Sequence, residues 1–366
     1  MKLLFISRAY PPVVGGLEKH NQALFAALRA IIPVQSILNR KGKKALPFFL
    51  PLAMFKVLFC FQESDVILLG DGLLGVLGWF IKLFRPNTPV ICIIHGLDIT
   101  YGNPVYQFFW IRFFLPNMDR LIAVSQATSE AAILKGLPAS KLTVIPNGVH
   151  QVEMQPFRDR QKLDQLLGVD TENKAILFTL GRLVKRKGVS WFIRNVMTKI
   201  QDQCIYIVAG DGPEKAIIDK SIQEYGLEKS VFCCGFTTEE LKGLLFANAD
   251  LFIQPNIKVT GDMEGFGIAV LEANAHGLAV LGSNLEGLQD SITENQNGWL
   301  LEPENAAAYI QKISELLKDP SELQRVGNKA KRFCHQHFSW EQIANQYFAS
   351  IANLAAPKHN NKTNSL

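Results

Sequence analysis

Glu264 and Glu272 bracket seven residues in the stretch Asp262-Met-Glu-Gly-Phe-Gly-Ile-Ala-Val-Leu-Glu272. Gly265 and Gly267 flank Phe266, and the apolar run Ile268 to Leu271 leads into Glu272. This pattern predicts a loop turning into a helix N-terminus, with Gly277 near its end. Such an end offers unpaired N–H groups and partial positive charge, which suits a phosphate. Glu264 then stands just before the helix and Glu272 about one and a half turns inside it. Two carboxylates so placed can accept hydroxyl hydrogen bonds at opposite ends of an elongated ligand whose phosphates lie between them. A nucleotide-sugar has that order of groups. The plainer alternative is an amphipathic helix with acids near its start.

A second cluster is Gly181-Arg182-Leu-Val-Lys185-Arg186-Lys187-Gly188, which puts four cations in a loop between a strand and a helix. Arg grips phosphate with two prongs and Lys acts as a point charge. A solvated basic loop is the alternative, and the place after a strand favours phosphate. Gly15-Gly16 precedes a helix and fits either close approach to an anion or a tight turn. His95-Gly-Leu-Asp98 follows an apolar strand, where the imidazole can meet a sugar hydroxyl or serve structurally, and Asp98 can orient a hydroxyl or act as a base. Gly70-Asp-Gly-Leu-Leu-Gly75 has the spacing of a dinucleotide loop, but it does not follow the first strand and no acid ends the next one. A glycosidase role for Glu264 and Glu272 is disfavoured, because that chemistry needs carboxylates facing each other across one bond. Cys334-His-Gln-His337 has no second ligand pair at finger spacing, so no metal is expected.

The elements that must position these groups alternate along the chain. Strands are predicted at Lys2 to Ser7, Val34 to Leu38, Asp65 to Leu69, Val90 to Ile94, Leu121 to Val124 and Leu142 to Ile145, with helical stretches between most of them. After Pro146-Asn-Gly148 and a polar stretch, strands recur at Ala175 to Thr179, Cys204 to Ala209, Ser230 to Cys233, Asp250 to Gln254, Ala279 to Gly282 and Gly298 to Leu301. A helix is expected from Gly188 to Val196. Capping boxes are read at Thr237-Thr-Glu-Glu240 and at Ser339-Trp-Glu-Gln342, the latter opening a terminal helix. The polar tail from Pro357 on reads as frayed. The pattern describes two tandem α/β halves with doubly wound parallel sheets, whose ligands belong at the strands' carboxyl ends. Domains are expected over 1–155 and 170–338, with a terminal helix at 339–355.

The bulk numbers fit. A chain of 366 residues has room for two domains, and 48% hydrophobic with 19% charged residues is a globular composition. The net charge of +5 is far from a nucleic-acid binder's basic stripe. Six cysteines without a C-x-x-C pair suggest a reducing cytosol. The start does not read as a signal peptide, and the apolar Leu46 to Phe61 neighbourhood, broken by Pro47, Pro51 and Lys56, is shorter than the ~20 residues of a spanning helix. Two aromatic stretches, Tyr106 to Leu115 and the lysine-led Lys41 to Phe61, suit either a lipid surface or a helix face against the core.

Together these motifs resemble the retaining glycosyltransferases of family 4, with the GT-B architecture. The resemblance runs from Met1 to about Leu354. It rests on Pro11-Pro-x-x-Gly-Gly16, His95-Gly, Val124-Ser125, Pro146-Asn-Gly148, Gly181-Arg182 with Lys187-Gly188, Gly210-Asp-Gly-Pro213 and Glu264-Gly-Phe-Gly-x4-Glu272, the family's E-x7-E signature. It implies two Rossmann-like domains facing across a cleft, the first binding acceptor and the second nucleotide-sugar. Arg182 and Lys187 would hold the donor diphosphate, with backbone N–H groups at Gly16 and across Gly265, Phe266, Gly267 and Ile268. Glu272 would hold the ribose and Glu264 a donor sugar hydroxyl, with His95 beside the sugar. Cations replace a metal, so no cofactor is expected. The implied reaction moves a sugar from a UDP- or GDP-sugar to a glycan or lipid-linked acceptor, in cell-envelope polysaccharide or lipopolysaccharide biosynthesis. The expected setting is the cytoplasm, with peripheral membrane contact. A sugar-nucleotide epimerase on the same scaffold, or an inactive partner subunit, is the alternative.

Overall fold

The computed structural model describes residues 1–13, 15–59, 65–152, 158–171 and 174–355. The tail from Pro357 and the last residues of the Lys41 to Phe61 stretch lie outside the described residues. The chain divides into two units, Met1–Asn147 with the chain from Trp340, and Gly148–Ser339.

The first unit is built on six strands: β1 (Leu3–Ser7), β2 (Val34–Leu38), β3 (Val66–Leu69), β4 (Val90–Ile94), β5 (Arg120–Ala123) and β6 (Leu142–Val144). All pairs are parallel, in the order β2-β1-β3-β4-β5-β6. Central strands such as Leu3–Ser7 and Val90–Ile94 are buried at every residue, as an unbroken apolar run requires when both sheet faces are covered. Leu4, Ile6, Ile67, Leu69, Cys92 and Ile94 share one core face. The terminal helix Trp340–Ala355 completes this unit. It packs on the first helix, Gly16–Arg29, and Arg120 donates to the Ser350 carbonyl at 3.2 Å.

Two segments of this unit, each open to a helical reading from the sequence, wind in ways the sequence did not specify. The Leu46–Phe59 stretch is one helix despite its prolines. Pro47 stands in the first turn, where an N–H has no partner to lose, and Pro51 gives up a single helical bond. Gln107–Phe114 is wound as a π-helix, an uncommon form at this length.

The second unit repeats the scheme with β7 (Ala175–Leu180), β8 (Cys204–Ala209), β9 (Val231–Gly235), β10 (Leu251–Gln254), β11 (Val280–Ser283) and β12 (Gly298–Leu301). The order is β12-β11-β10-β7-β8-β9, again all parallel. The strand order reverses between β7 and β10, which is where an open α/β sheet leaves a crevice at its carboxyl edge. The predicted Gly188–Val196 helix is an α-turn, Val189–Phe192, running into a π-turn, Ile193–Met197. The cap read at Thr237 is Thr238 instead, whose hydroxyl accepts from the Leu241 N–H at 3.2 Å ahead of the Glu239–Asn248 helix. The polar stretch after Gly148 contains a helix, Arg160–Leu167. Arg160 ties it to this unit through Asp250 at 2.9 Å and the Lys174 carbonyl at 2.6 Å.

Candidate active site

The loops leaving β7 and β10 supply most of the candidate residues in the second unit. The β7 exit carries the four cations, and the chain folds back at Gly188 with φ 66°. A Cβ there would lie 1.9 Å from the Pro255 carbonyl oxygen, so only glycine lets the two exit loops touch. The Ile257 N–H donates to the Arg186 carbonyl at 2.9 Å and locks the loops together.

Glu264 sits where they meet. It is buried, and Oε2 receives Lys187 at 2.6 Å, Arg186 at 2.9 Å and the Asn256 amide at 3.1 Å. Burial raises the carboxyl, but Lys187 and Arg186 outweigh it and hold the group down at about 2. Burial and the neighbouring Arg186 lower the Lys187 ammonium, against the pull of Glu264. Arg186 is shared with Asp262 at 3.0 Å, on the loop that precedes Glu264. Asn256 is itself fixed, its side-chain oxygen by Gln254 at 2.7 Å and its carbonyl by Ser283 at 2.6 Å.

The four cations therefore separate into two kinds. Arg186 and Lys187 are neutralised within the protein. Arg182 and Lys185 are exposed, and Arg182 makes no ion pair among the described residues.

The expected loop-to-helix turn is present. The helix is Ile268–Ala275, preceded by Gly267 at φ 86°, and no side chain caps its first turn. A Cβ at Gly267 would lie 2.7 Å from Leu288 Cδ2. Phe266 is buried against Phe338, which anchors the loop, while the Gly265 carbonyl packs on Gly287. Glu272 lies in this helix, apart from the Glu264 cluster, and pairs with Lys242 at 3.0 Å.

Sequence reasoning did not single out Glu286. Its carboxylate accepts the Glu264 N–H at 2.6 Å, and its backbone is left-handed at φ 50°, uncommon for a residue with a side chain. Burial raises its carboxyl. Asn256 and Lys242 were also missed. Lys242 had a faint signal in its spacing from Glu239, to which it also bonds at 3.0 Å, but nothing pointed to Glu272.

Gly16 and His95 lie in the first unit. Gly16 opens the first helix, and a Cβ there would meet nothing within 4 Å. His95 precedes the short helix Gly96–Thr100 at the end of β4. Its N–H donates to Asp98 Oδ2 at 2.9 Å, and the same oxygen takes the Gly72 N–H at 3.1 Å. Asp98 thus satisfies backbone rather than standing free as a base. The His95 ring meets His20 edge-on at 5.3 Å, and burial brings its pKa down to about 4. His95 Nε2 and both ring nitrogens of His20 have no hydrogen-bond partner among the described residues. The Gly70 to Gly75 loop is structural. Asp71 is fully buried, pairs with Arg8 at 2.7 Å and accepts the Leu73 N–H. Among the described residues no three metal-ligating side chains converge, and no helix is long and apolar enough to cross a membrane.

Comparison with known proteins bears on the family and the fold. The family pattern described as "Glycosyltransferase Family 4" matches residues 13–151, and "Glycosyl transferases group 1" matches residues 159–333. An uncharacterised glycosyltransferase of Methanocaldococcus jannaschii is 26% identical over 94% of this chain and 96% of its own. An amylovoran biosynthesis glycosyltransferase of Erwinia amylovora is 26% identical over 77% of this chain and 69% of its own. The crystal structure of Anabaena HepE in complex with UDP and glucose superposes with a TM-score of 0.76 at 21% identity, covering 96% of this chain and all of the other. Both halves are matched in order and the fold is shared, so the chain belongs to glycosyltransferase family 4, with the GT-B architecture of two Rossmann-like halves.

Proposed function

We propose that the protein transfers a sugar from a UDP- or GDP-sugar to a glycan or lipid-linked acceptor, with retention at the anomeric carbon and without a metal. The supporting observation is the division of the basic loop at the β7–β10 switch, where Arg182 stands unpaired while Lys187 is clamped on Glu264. An exposed guanidinium close in sequence to a buried ammonium suits a diphosphate that gains charge as it leaves. Arg182 and Lys187 bind that diphosphate, together with the uncapped N–H groups from Gly265 to Ile268. Because Glu264 takes its three donors on Oε2, Oε1 is available to a hydroxyl of the donor sugar. Glu272 binds the ribose in place of Lys242. In the first unit, Gly16 and His95 serve the sugar-phosphate and the sugar. The bond from anomeric carbon to phosphate oxygen breaks, one to the acceptor oxygen forms on the same face, and the acceptor proton passes to the departing phosphate. The biosynthesis of cell-envelope polysaccharide or lipopolysaccharide, at the cytoplasmic surface of a membrane, is the setting we assign.

Turnover of labelled UDP- and GDP-sugars tests this reading. Arg182→Ala should cut kcat about 10²- to 10³-fold, a larger loss than in recognition of the nucleoside. Glu272→Ala should weaken donor and free nucleotide alike. Unchanged activity in both variants would remove the site assignment. Epimer formed without acceptor, or no thermal shift with any donor, would point to the epimerase or the inactive subunit.

A further inference from the structure

The Leu46–Phe59 helix carries two apolar stripes where one is enough. Phe49, Ala53 and Val57 are buried against the first sheet. Phe48, Leu52, Phe55 and Phe59 make a second stripe on the outer side, with Phe48 81% and Phe59 64% exposed. A helix at a water-facing surface has polar residues there. The neighbouring helix, Gly75–Phe84, ends in exposed Leu83 and Phe84, and the π-helical Gln107–Phe114 exposes Phe108, Phe109 and Phe113. These three elements are adjacent and cover one face of the sheet. Trp79 reaches Phe113 at 5.3 Å between the second and third. Between the first and second lies a cavity of about 210 Å³, lined only by Leu50, Pro51, Met54, Val76, Leu77 and Phe80. Lys43 and Lys44 ahead of the Leu46–Phe59 helix, Lys56 within it and Arg112 in the π-helix are also exposed. Residues 41–59, 75–85 and 104–117 contain no Asp or Glu.

We infer that this three-element face docks on an anionic lipid bilayer, its phenylalanines entering the headgroup boundary and the apolar slot taking part of a lipid's hydrocarbon chain. The proposal rests on the membrane setting given above and names the surface responsible. Single exposed apolar residues are ordinary, but a contiguous field of them on adjacent helices marks an interaction surface. The charges decide which partner fits. Cations around an apolar face complement anionic headgroups. A second copy of the chain meeting the same face would oppose lysines to lysines with no acids to answer them.

Flotation of the full chain with vesicles tests this, using phosphatidylcholine alone or an equal mixture with phosphatidylglycerol. The protein should float with the mixture, float less with phosphatidylcholine, and release as salt is raised. Replacing Phe48, Phe55 and Phe59 together by Ser should weaken binding to the mixture by about tenfold or more, with unchanged melting temperature. Replacing Lys43, Lys44 and Lys56 by Glu should abolish the preference for the anionic mixture. If the Phe variant floats like the parent, the face is wrong while the membrane setting stands. If the parent floats with neither vesicle, the membrane setting falls as well, and donor thermal shift still tests sugar transfer separately. If the parent proves to be a dimer that the Phe substitutions dissolve, the surface joins copies of the chain and the lipid proposal is overturned.

Discussion

In the second unit the paired charges at the strand ends stand beside exposed cations, whereas in the first they are paired off in the interior. Around Glu264 two cations and Asp262 form a compensated cluster with exposed Arg182 and Lys185 on the same loop. At the matching ends of the first sheet, Asp71 and Arg8 neutralise each other and Asp98 is spent on backbone N–H groups. His20 and His95 are held uncharged by burial. One scaffold thus serves opposite electrostatics. On the proposed reading, its second copy exchanges an internal carboxylate for a ligand's phosphate. Its first copy keeps neutral imidazoles buried.

The contrast can be broken at each end. The largest effect is expected from Glu264→Gln, which leaves Lys187 and Arg186 facing only Asp262. About 3 kcal/mol of stability should be lost, seen as a lower urea midpoint. If the midpoint does not move, the cluster is not internally compensated.

Acid should separate the two units. His95 has a folded pKa of about 4 against an ordinary 6.5. The unfolded chain therefore binds the proton first, and stability falls as pH drops from 6.5 towards 4, by about 3 kcal/mol. Glu264, held at about 2, contributes stability that is full above the ordinary glutamate range and is lost as pH falls through 2. Urea titrations at a series of pH values should show the first decline reduced in His95→Gln, with buried His20 supplying the remainder, and the second flattened in Glu264→Gln. Interchanged effects would refute the contrast.

The smallest effect sharpens the picture at Glu286. Glycine relieves the left-handed backbone that alanine must keep, and both lose the bond to the Glu264 N–H. Glu286→Gly should therefore be more stable than Glu286→Ala by about 1 kcal/mol, measured by thermal melting.

The sheets were legible because central parallel strands are unbroken apolar runs, and Val90–Ile94 admits little else. The unbroken run of the Leu46–Phe59 helix was less so, because prolines that read as breakers sit where a helix tolerates them or loses one bond. The π-winding of Gln107–Phe114 has no local sequence signature. In the site, the paired acids and the basic loop were visible as motifs. Which cation pairs with which acid was not, since Arg186 and Glu264 are 78 residues apart and meet only once β7 and β10 are neighbours. Glu286 carries no motif at all. Its place follows from the β11 exit loop packing on Gly265.

The first unit leaves the chain at Asn147 and is resumed only at Trp340. Its closing helix supplies Trp340 against His20, at 5.4 Å, and buries Tyr347 and Ile351. A ribosome therefore delivers everything the second unit needs before it delivers the last piece of the first. The earlier-made half waits unfinished, and the later-made half can mature ahead of it. Cutting the chain after Ser339 would consequently harm the portion farthest away along the polypeptide and spare the adjoining one.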